Sequence, residues 1–388
     1  MRALDRTHGG FLEDERDGVF FDRGEKCLKM QARQLYAFSL FSENDPQNSG
    51  LIEASHHGFE FLSTVLRDGE NGGFYNAVAP DGTPMDRSRP FAHHFFAILG
   101  LATFARVFGR DDARALACEV FREFDARAYD ERNGGYCEGL GAEWQRLTAD
   151  EINPRDRSFP GVRSFESELH QAEALAALYR VSPEDGVRRR LEELLLRCLT
   201  CFRHPRSTLT INSWDADLDR PYDLRGSQRA AVGHDMEHVL LVLETLRSLE
   251  LPLTSVRNWA LQQSGEAIQS AWDRKYGGFY TNANFQAPRQ LGRKSAKAWW
   301  VQSDCMICLL ELYVLTARLE YFRLFRRCFD FIEEHLIRSD GGWRQLVDRS
   351  GASPIRSIAA SSDHGAYHSA RALLRSQQVI RGLADAPD

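Results

Sequence analysis

Histidine carries the clearest chemical signal in this chain. There are twelve histidines, and several stand where a helix begins. Gly233-His234-Asp235-Met236-Glu237-His238 opens an apolar run, and His234 and Glu237, three residues apart, share a helical face. The positive end of a helix dipole disfavours imidazolium, which favours His234 as a neutral base near pH 7. The adjacent carboxylates pull the other way, and a capping polar cluster fits the same residues. His170, in Ser167-Glu168-Leu169-His170-Gln171-Ala172-Glu173, lies early in another helix; taken alone it reads as a packing histidine. His368, in Ala366-Tyr367-His368-Ser369-Ala370-Arg371, opens the last helix, with His364 four residues before it. His93-His94 precedes Phe95-Phe96, which predicts one imidazole facing inward. Arg33 lies in Gln31-Ala32-Arg33-Gln34-Leu35-Tyr36. Lys297-Ala298-Trp299-Trp300-Val301-Gln302 sets two tryptophans at a helix start, where indole faces can stack on a sugar or plug a core; the polar neighbours favour the sugar.

These groups are useful only if a fold gathers them. Apolar residues recur at spacings of three and four over 27–41, 52–66, 91–108, 113–127, 167–181, 186–202, 234–249, 255–272, 298–315, 321–337 and 368–382, which predicts helices and no long strands. A Gly-Gly-aromatic tripeptide recurs at Gly9, Gly72, Gly134, Gly277 and Gly341, at steps of 63, 62, 143 and 64 residues. Acidic residues precede four copies: Asp68, Asp130, Asp273 and Asp340. The long step is two periods, so a degenerate copy is expected near residue 205. A constant period marks a repeated supersecondary unit. Two helices with their loops fill about 62 residues, and six such hairpins fill the chain. The fold expected is therefore all-α, an (α/α)6 barrel, with residues 1–388 forming a single domain. Closure of such a barrel would draw the scattered helix starts into one central pocket.

The 388 residues are 43% hydrophobic and 27% charged, with a formal net charge of −6. This argues against nucleic acid, whose phosphates need concentrated positive charge. No uncharged apolar run is read as approaching the roughly 18 residues of a membrane span, and the N-terminal residues do not read as a signal peptide. The eight cysteines include two C-x-x-C pairs, Cys198/Cys201 and Cys305/Cys308. Both lie inside apolar helical runs, which predicts buried reduced thiols rather than zinc and a cytoplasmic location. No phosphate-binding glycine loop is present. Asp215, Asp217 and Asp219 alternate as in a calcium loop, but Arg220 and Gly226 occupy the positions that need glycine and glutamate.

The ordered set resembles the N-acylglucosamine 2-epimerase superfamily, from about Phe11 to Leu374. It is carried by Gln31-Ala32-Arg33, Gly72-Gly73-Phe74-Tyr75, His94 to Gly100, Leu169-His170, Gly233 to Glu237, Lys297 to Gln302, Gly341-Gly342-Trp343 and Tyr367-His368. The resemblance implies the same barrel and action on a free sugar without a metal or redox cofactor. It places the catalytic histidine pair on His234 and His368, a supporting histidine on His170, the arginine on Arg33 and the helix-borne glutamate on Glu237. The expected sugar contacts are Trp299, Trp300, His94, Asp304 and Tyr36. Three positions depart from the family pattern: Asp304 stands where Glu is frequent, Phe91-Ala92 where a tyrosine is common, and Asp363 where many epimerases have Trp.

The chemistry this implies is proton transfer at C2 of an open-chain aldose through a cis-enediolate. A base of pKa near 7 suits it, with Arg33 and His170 as candidates to stabilise the oxygen charge and Glu237 orienting or charging His234. Return of the proton to C1 gives aldose–ketose isomerisation of the mannose–fructose type; return to the other face of C2 gives 2-epimerisation. A glycoside hydrolase using two of Asp215, Asp217, Glu237 and Asp304, and a non-catalytic sugar binder, are the rival readings. The expected partner is a small sugar, with no nucleic acid and no membrane, and the chain is expected to be a monomer or homodimer.

Overall fold

Four of the five Gly-Gly-aromatic turns close the same small loop, and the fifth is one residue tighter, with the Arg338 N–H donating to the Gly342 carbonyl. Gly72 and Gly73 stand at φ +80° and +66°, the left-handed region that L side chains resist. The Asp68 N–H donates to the Gly73 carbonyl (3.0–3.1 Å for this and the return bond from the Gly72 N–H to the Asp68 carbonyl). Asp68 Oδ1 accepts the N–H groups of Glu70 and Asn71, both at 3.0 Å. Asp5, Asp130 and Asp273 accept from the residues two and three ahead in the same way. The first turn therefore has an upstream acid too, in Asp5. Backbone bridges recur with the turns: Leu4 with Phe11, Arg67 with Phe74, Tyr129 with Tyr136, Trp272 with Phe279 and Ile337 with Trp343. The degenerate copy is present as well: Arg203 bridges Thr210, Thr208-Leu209 replace the glycines, and His204 Nδ1 accepts the Arg206 N–H in place of a carboxylate.

The computed structural model describes residues 2–16, 19–148, 161–215, 217–219, 221, 229–284, 296–355 and 365–385. His364, Asp363, Arg220 and Gly226 lie outside the described residues. Eleven α-helices occur among the described residues: α1 (Leu28–Asn44), α2 (Ser49–Thr64), α3 (Phe91–Phe108), α4 (Asp111–Arg127), α5 (Phe165–Val181), α6 (Asp185–Thr200), α7 (Val232–Ser248), α8 (Arg257–Ala271), α9 (Trp299–Thr316), α10 (Leu319–Phe331) and α11 (Tyr367–Ala384). Every expected helix is there, with ends shifted by a few residues. The expected six hairpins are, among these residues, five hairpins followed by α11. Strands are only two or three residues long, and short antiparallel pairs such as Val162–Ser164 with Ser213–Asp215 flank the helix starts.

The chain divides into two compact units. The first comprises Met1–Arg197, Ser213–Tyr222 and Ser361–Tyr367. In it α1 packs on α3 and α3 on α5, while α2 and α4 pack on the helix preceding each. The second comprises Cys198–Asn212, Asp223–Ala360 and His368–Asp388. In it α7 packs on α9, with α8 and α10 as their hairpin partners. The odd-numbered helices α3, α7 and α9 are buried over most of their length, whereas α4 and α10 bury single stripes, Ala113/Ala117/Val120/Phe124 and Tyr321/Phe325/Cys328. A helix buried all round needs apolar residues all round, and a helix on the outside needs only one stripe. This is why α3, with 18 residues and a mean hydropathy of 1.4, reaches the length and composition of a membrane span. The expectation concerned uncharged runs, and this one includes Arg106; 72% of it is buried inside the protein.

The fourth residue of α1, α3, α7 and α9 locks the turn before it. Gln31 of α1 accepts the Phe11 N–H (2.8 Å) and donates to the Phe11 carbonyl (2.9 Å). Gln302 of α9 does the same at Phe279, both at 2.7 Å, and its Nε2 also reaches the Ala298 carbonyl at 3.2 Å. Asp235 of α7 accepts the Thr210 N–H at 2.8 Å. His94 of α3 holds this same position. Its Nε2 accepts the Phe74 N–H (3.1 Å) and its Nδ1 faces the Pro90 carbonyl (3.0 Å), which requires the neutral Nδ1–H tautomer.

Burial pushes the His94 pKa down to about 3. The unfolded chain therefore takes up a proton here from about pH 6.5 downward, while the folded chain does not, so His94 destabilises the fold increasingly as pH falls through that window. Gln302 shows that glutamine can make the same contacts. Replacing His94→Gln should remove the acid penalty. Comparison of urea melts at pH 7 and pH 5 should show the variant gaining about 2 kcal/mol relative to wild type at the lower pH; a difference that does not change with pH contradicts this account.

Candidate active site

In the second unit, three helix starts bring expected site residues together. α7 brings His234 in its first turn, α9 brings Trp299 and Trp300, and α11 brings His368. The turn at 203–210 is held to α7 by Asp235, which accepts from the Thr210 N–H and hydroxyl and also from Gln263 of α8 (2.8–2.9 Å). Burial pushes the Asp235 carboxyl up to about 7 despite those bonds. The half-buried Trp300 lies against both imidazoles, 4.9 Å from His234 and 5.7 Å from His368 between ring centroids. Gly233 permits this approach, since a Cβ there would lie 2.3 Å from Trp300 Cζ3. Trp299 meets His368 edge-on at 5.4 Å.

The two histidines differ in their supports. His368 Nδ1 lies 2.9 Å from Asp304 Oδ2. An ionised carboxylate only accepts, so Nδ1 carries the hydrogen and the neutral ring keeps its lone pair on Nε2. Asp304 is fully buried, and its other oxygen accepts from Arg371 Nη2 at 2.7 Å. The same guanidinium nitrogen bonds Glu237 Oε1. His234 Nδ1 has no hydrogen-bond partner among the described residues. The expectation that Glu237 orients His234 is therefore corrected: His234 lies against Trp300, and the carboxylate bonds Arg371. Asp304, expected as a sugar contact, is the support of His368 instead. Atoms of Glu237, Asp304 and His368 converge within 4.8 Å of one another, and the cation bonded to both carboxylates is Arg371.

In the first unit, Arg33, Phe96 and His170 each stand sixth in their helix. The Arg33 guanidinium lies over the rings of Phe96 (4.1 Å) and Tyr367 (4.8 Å). His170 packs on Phe96 at 4.5 Å, and its Nδ1 lies 3.5 Å from Glu173 Oε2. The Tyr367 hydroxyl donates to that same carboxylate oxygen. Tyr36 packs on Tyr367 at 5.4 Å. His94 does not join this group. It is fully buried with both ring nitrogens spent on backbone, so the expected sugar contact is corrected to a turn anchor. Asp5, His8 and Asp22 also converge within 4.8 Å, but Asp5 is already bonded to Lys26 Nζ at 2.6 Å.

Sequence reasoning missed Arg371, Glu173, Phe96 and Tyr367 as members of these groups. Two carried a readable signal: Arg371 follows His368, and Glu173 follows His170, by the three residues that put both on one helical face.

Residues 9–372 match the family model for N-acylglucosamine 2-epimerase (GlcNAc 2-epimerase). The chain is similar to a cellobiose 2-epimerase of Bacteroides fragilis, 24% identical over 371 residues and 90% of each chain. It is also similar to a D-mannose isomerase of Thermobifida fusca, 25% identical over 79% of this chain and 74% of that one. The solved structure of cellobiose 2-epimerase from Spirochaeta thermophila superimposes with a TM-score of 0.87 at 27% identity, covering 99% of this chain and 93% of that one. The chain thus belongs to the N-acylglucosamine 2-epimerase family, and is an α/α-barrel enzyme of the sugar epimerase and isomerase class.

Proposed function

We propose that the enzyme moves a proton at C2 of a free aldose through a cis-enediolate, with His368 as the abstracting base and aldose–ketose isomerisation of the mannose–fructose type as the outcome. The observation that carries this reading is the asymmetry of the histidine pair. His368 has a carboxylate on Nδ1 that supports the imidazolium formed when Nε2 takes a proton. His234 has no such support on Nδ1. Epimerisation asks each histidine to be the base in one direction. Moving a proton between C2 and C1 asks one base to serve in both directions, which suits an unequal pair. His234 then serves the oxygen protons during ring opening and enolisation. The family resemblance assigns Arg33 and His170 the negative oxygen of the enediolate.

The hydrolase alternative needs two carboxyls flanking a glycosidic bond. Glu237 and Asp304 instead share one guanidinium, which argues against it. The second reading is 2-epimerisation, favoured by the likeness to two proteins named cellobiose 2-epimerase.

Proton NMR in D₂O with mannose, glucose, fructose, N-acetylmannosamine and cellobiose separates these readings. Fructose or mannose formed with deuterium at C1 or C2 is the expected result; a C2 epimer without ketose transfers the assignment to epimerisation, and release of a new reducing end transfers it to hydrolysis. Replacing His368→Ala or His234→Ala should lower kcat/KM by about 10²-fold or more with an unchanged circular dichroism spectrum; wild-type rates in either variant contradict the assignment. Asp304→Asn preserves shape but removes the charge that supports imidazolium. It should lower kcat by roughly 10–100-fold with KM little changed; an equal rise in KM at constant kcat would make Asp304 a binding group.

A further inference from the structure

We infer that Arg371 is a positioning residue that sets the base strength of His368 by counterbalancing two buried carboxylates. This rests on the proposed role of His368 and adds a residue that the sequence did not single out. Arg371 lies on α11, one helical turn beyond His368, and only 3% of its surface is exposed. Its Nη2 bonds Asp304 Oδ1 from α9 at 2.7 Å and Glu237 Oε1 from α7. Both carboxylates are fully buried. Asp304 spends its other oxygen on His368 Nδ1 at 2.9 Å. Glu237 Oε2 has no hydrogen-bond partner among the described residues, so its charge depends on the guanidinium.

Among the described residues, the groups that face His368 are thus Asp304, Trp299 and Trp300 from α9, Glu237 from α7, and Arg371 from its own helix, and Trp300 also lies against His234. Two carboxylates beside an imidazole hold its proton tightly, and a nearby guanidinium loosens that hold. With Arg371 in place, one net negative charge among these partners faces His368. Without it, two do, and the base would remain protonated at neutral pH. A guanidinium suits the task because it stays charged when buried and its planar fork can meet two carboxylates at once.

The test is an NMR titration of the His368 imidazole in the full-length protein, read beside the pH profile of kcat/KM. Three variants are compared with wild type: Arg371→Met, Glu237→Gln, and the two combined. Arg371→Met should raise the His368 pKa by roughly a unit or more and carry the acid limb of kcat/KM upward with it. Glu237→Gln should move the His368 pKa the opposite way. The double variant, which restores the charge balance, should return it to near the wild-type value. If Arg371→Met fails to fold, the Glu237→Gln and double variants still decide: a downward shift in the first that the second reverses supports the proposal. Unshifted titrations, or shifts of the same sign in the two single variants, overturn it, because a merely structural arginine would lower stability without moving the imidazole. Absence of turnover with every sugar would remove the proposed reaction, while the titration would still decide the role of Arg371.

Discussion

A buried carboxylate–cation pair at the foot of the helices is the interaction on which the rest of this structure depends. Asp68 and Arg89 meet at 2.8 Å with both side chains fully buried, and Arg89 also bonds the Phe74 carbonyl at 3.1 Å. Asp5 meets Lys26 at 2.6 Å. Asp273 meets Lys297 at 3.3 Å, and Lys297 bonds the Gly277 carbonyl at 2.6 Å. In each case the acid caps the Gly-Gly turn and the cation stands two residues before the next odd-numbered helix. Burial pushes the Asp5 carboxyl up, but Lys26 and the backbone N–H groups of His8 and Thr7 outweigh it and bring it to about 2. Such pairs add little net stability over apolar packing, yet breaking one strands a buried charge. Their value is register: they fix where the helix starts. Where the acid is absent, at His204, the cation is absent too, at Ala230. The two losses are compatible, because neither leaves a charge behind.

With the helix starts fixed, position along the helix sorts residues by task. The fourth residue faces back to the turn, as Gln31, His94, Asp235 and Gln302 do. The sixth, Arg33, His170, Glu237 or Asp304, belongs to the chemical groups. Two histidines of similar appearance thus divide by register alone. His94 at the fourth place is a neutral anchor. His170 at the sixth lies against an arginine-bearing aromatic face and a glutamate.

The repeat was legible in the sequence because glycine pairs and helical periodicity are local signals, and local signals recur at a fixed step. The helices followed, as did the degenerate turn near residue 205. Arg33, His170, His234 and His368 were legible from the family resemblance, since none of them is distinctive alone. What was not legible was pairing. Glu237 is three residues from His234, and helical spacing brings the two together on paper. Its hydrogen bond goes to Arg371, 134 residues away. His94 sits in a histidine–phenylalanine run that suits a sugar contact, and only the position of the Phe74 N–H reveals it as an anchor. Partner choice is decided by long-range packing, which spacing does not encode.

The two units hold the charges of their chemical groups in different ways. In the second, two carboxylates share one guanidinium beside His368, so these four groups are electrically balanced only when the imidazole is protonated. Burial magnifies that imbalance, because little water is present to screen it. In the first, the Arg33 guanidinium lies over the faces of Phe96 and Tyr367, a setting in which ring electrons partly offset its charge. On the proposed reading, the set in the second unit draws a proton from carbon. Enolisation needs a base strong enough to take a weakly acidic proton, yet weak enough to release it again at C1. A carboxylate pair alone would make His368 too strong a base to release it, and an isolated imidazole would be too weak to take it. The shared guanidinium places the histidine between these limits.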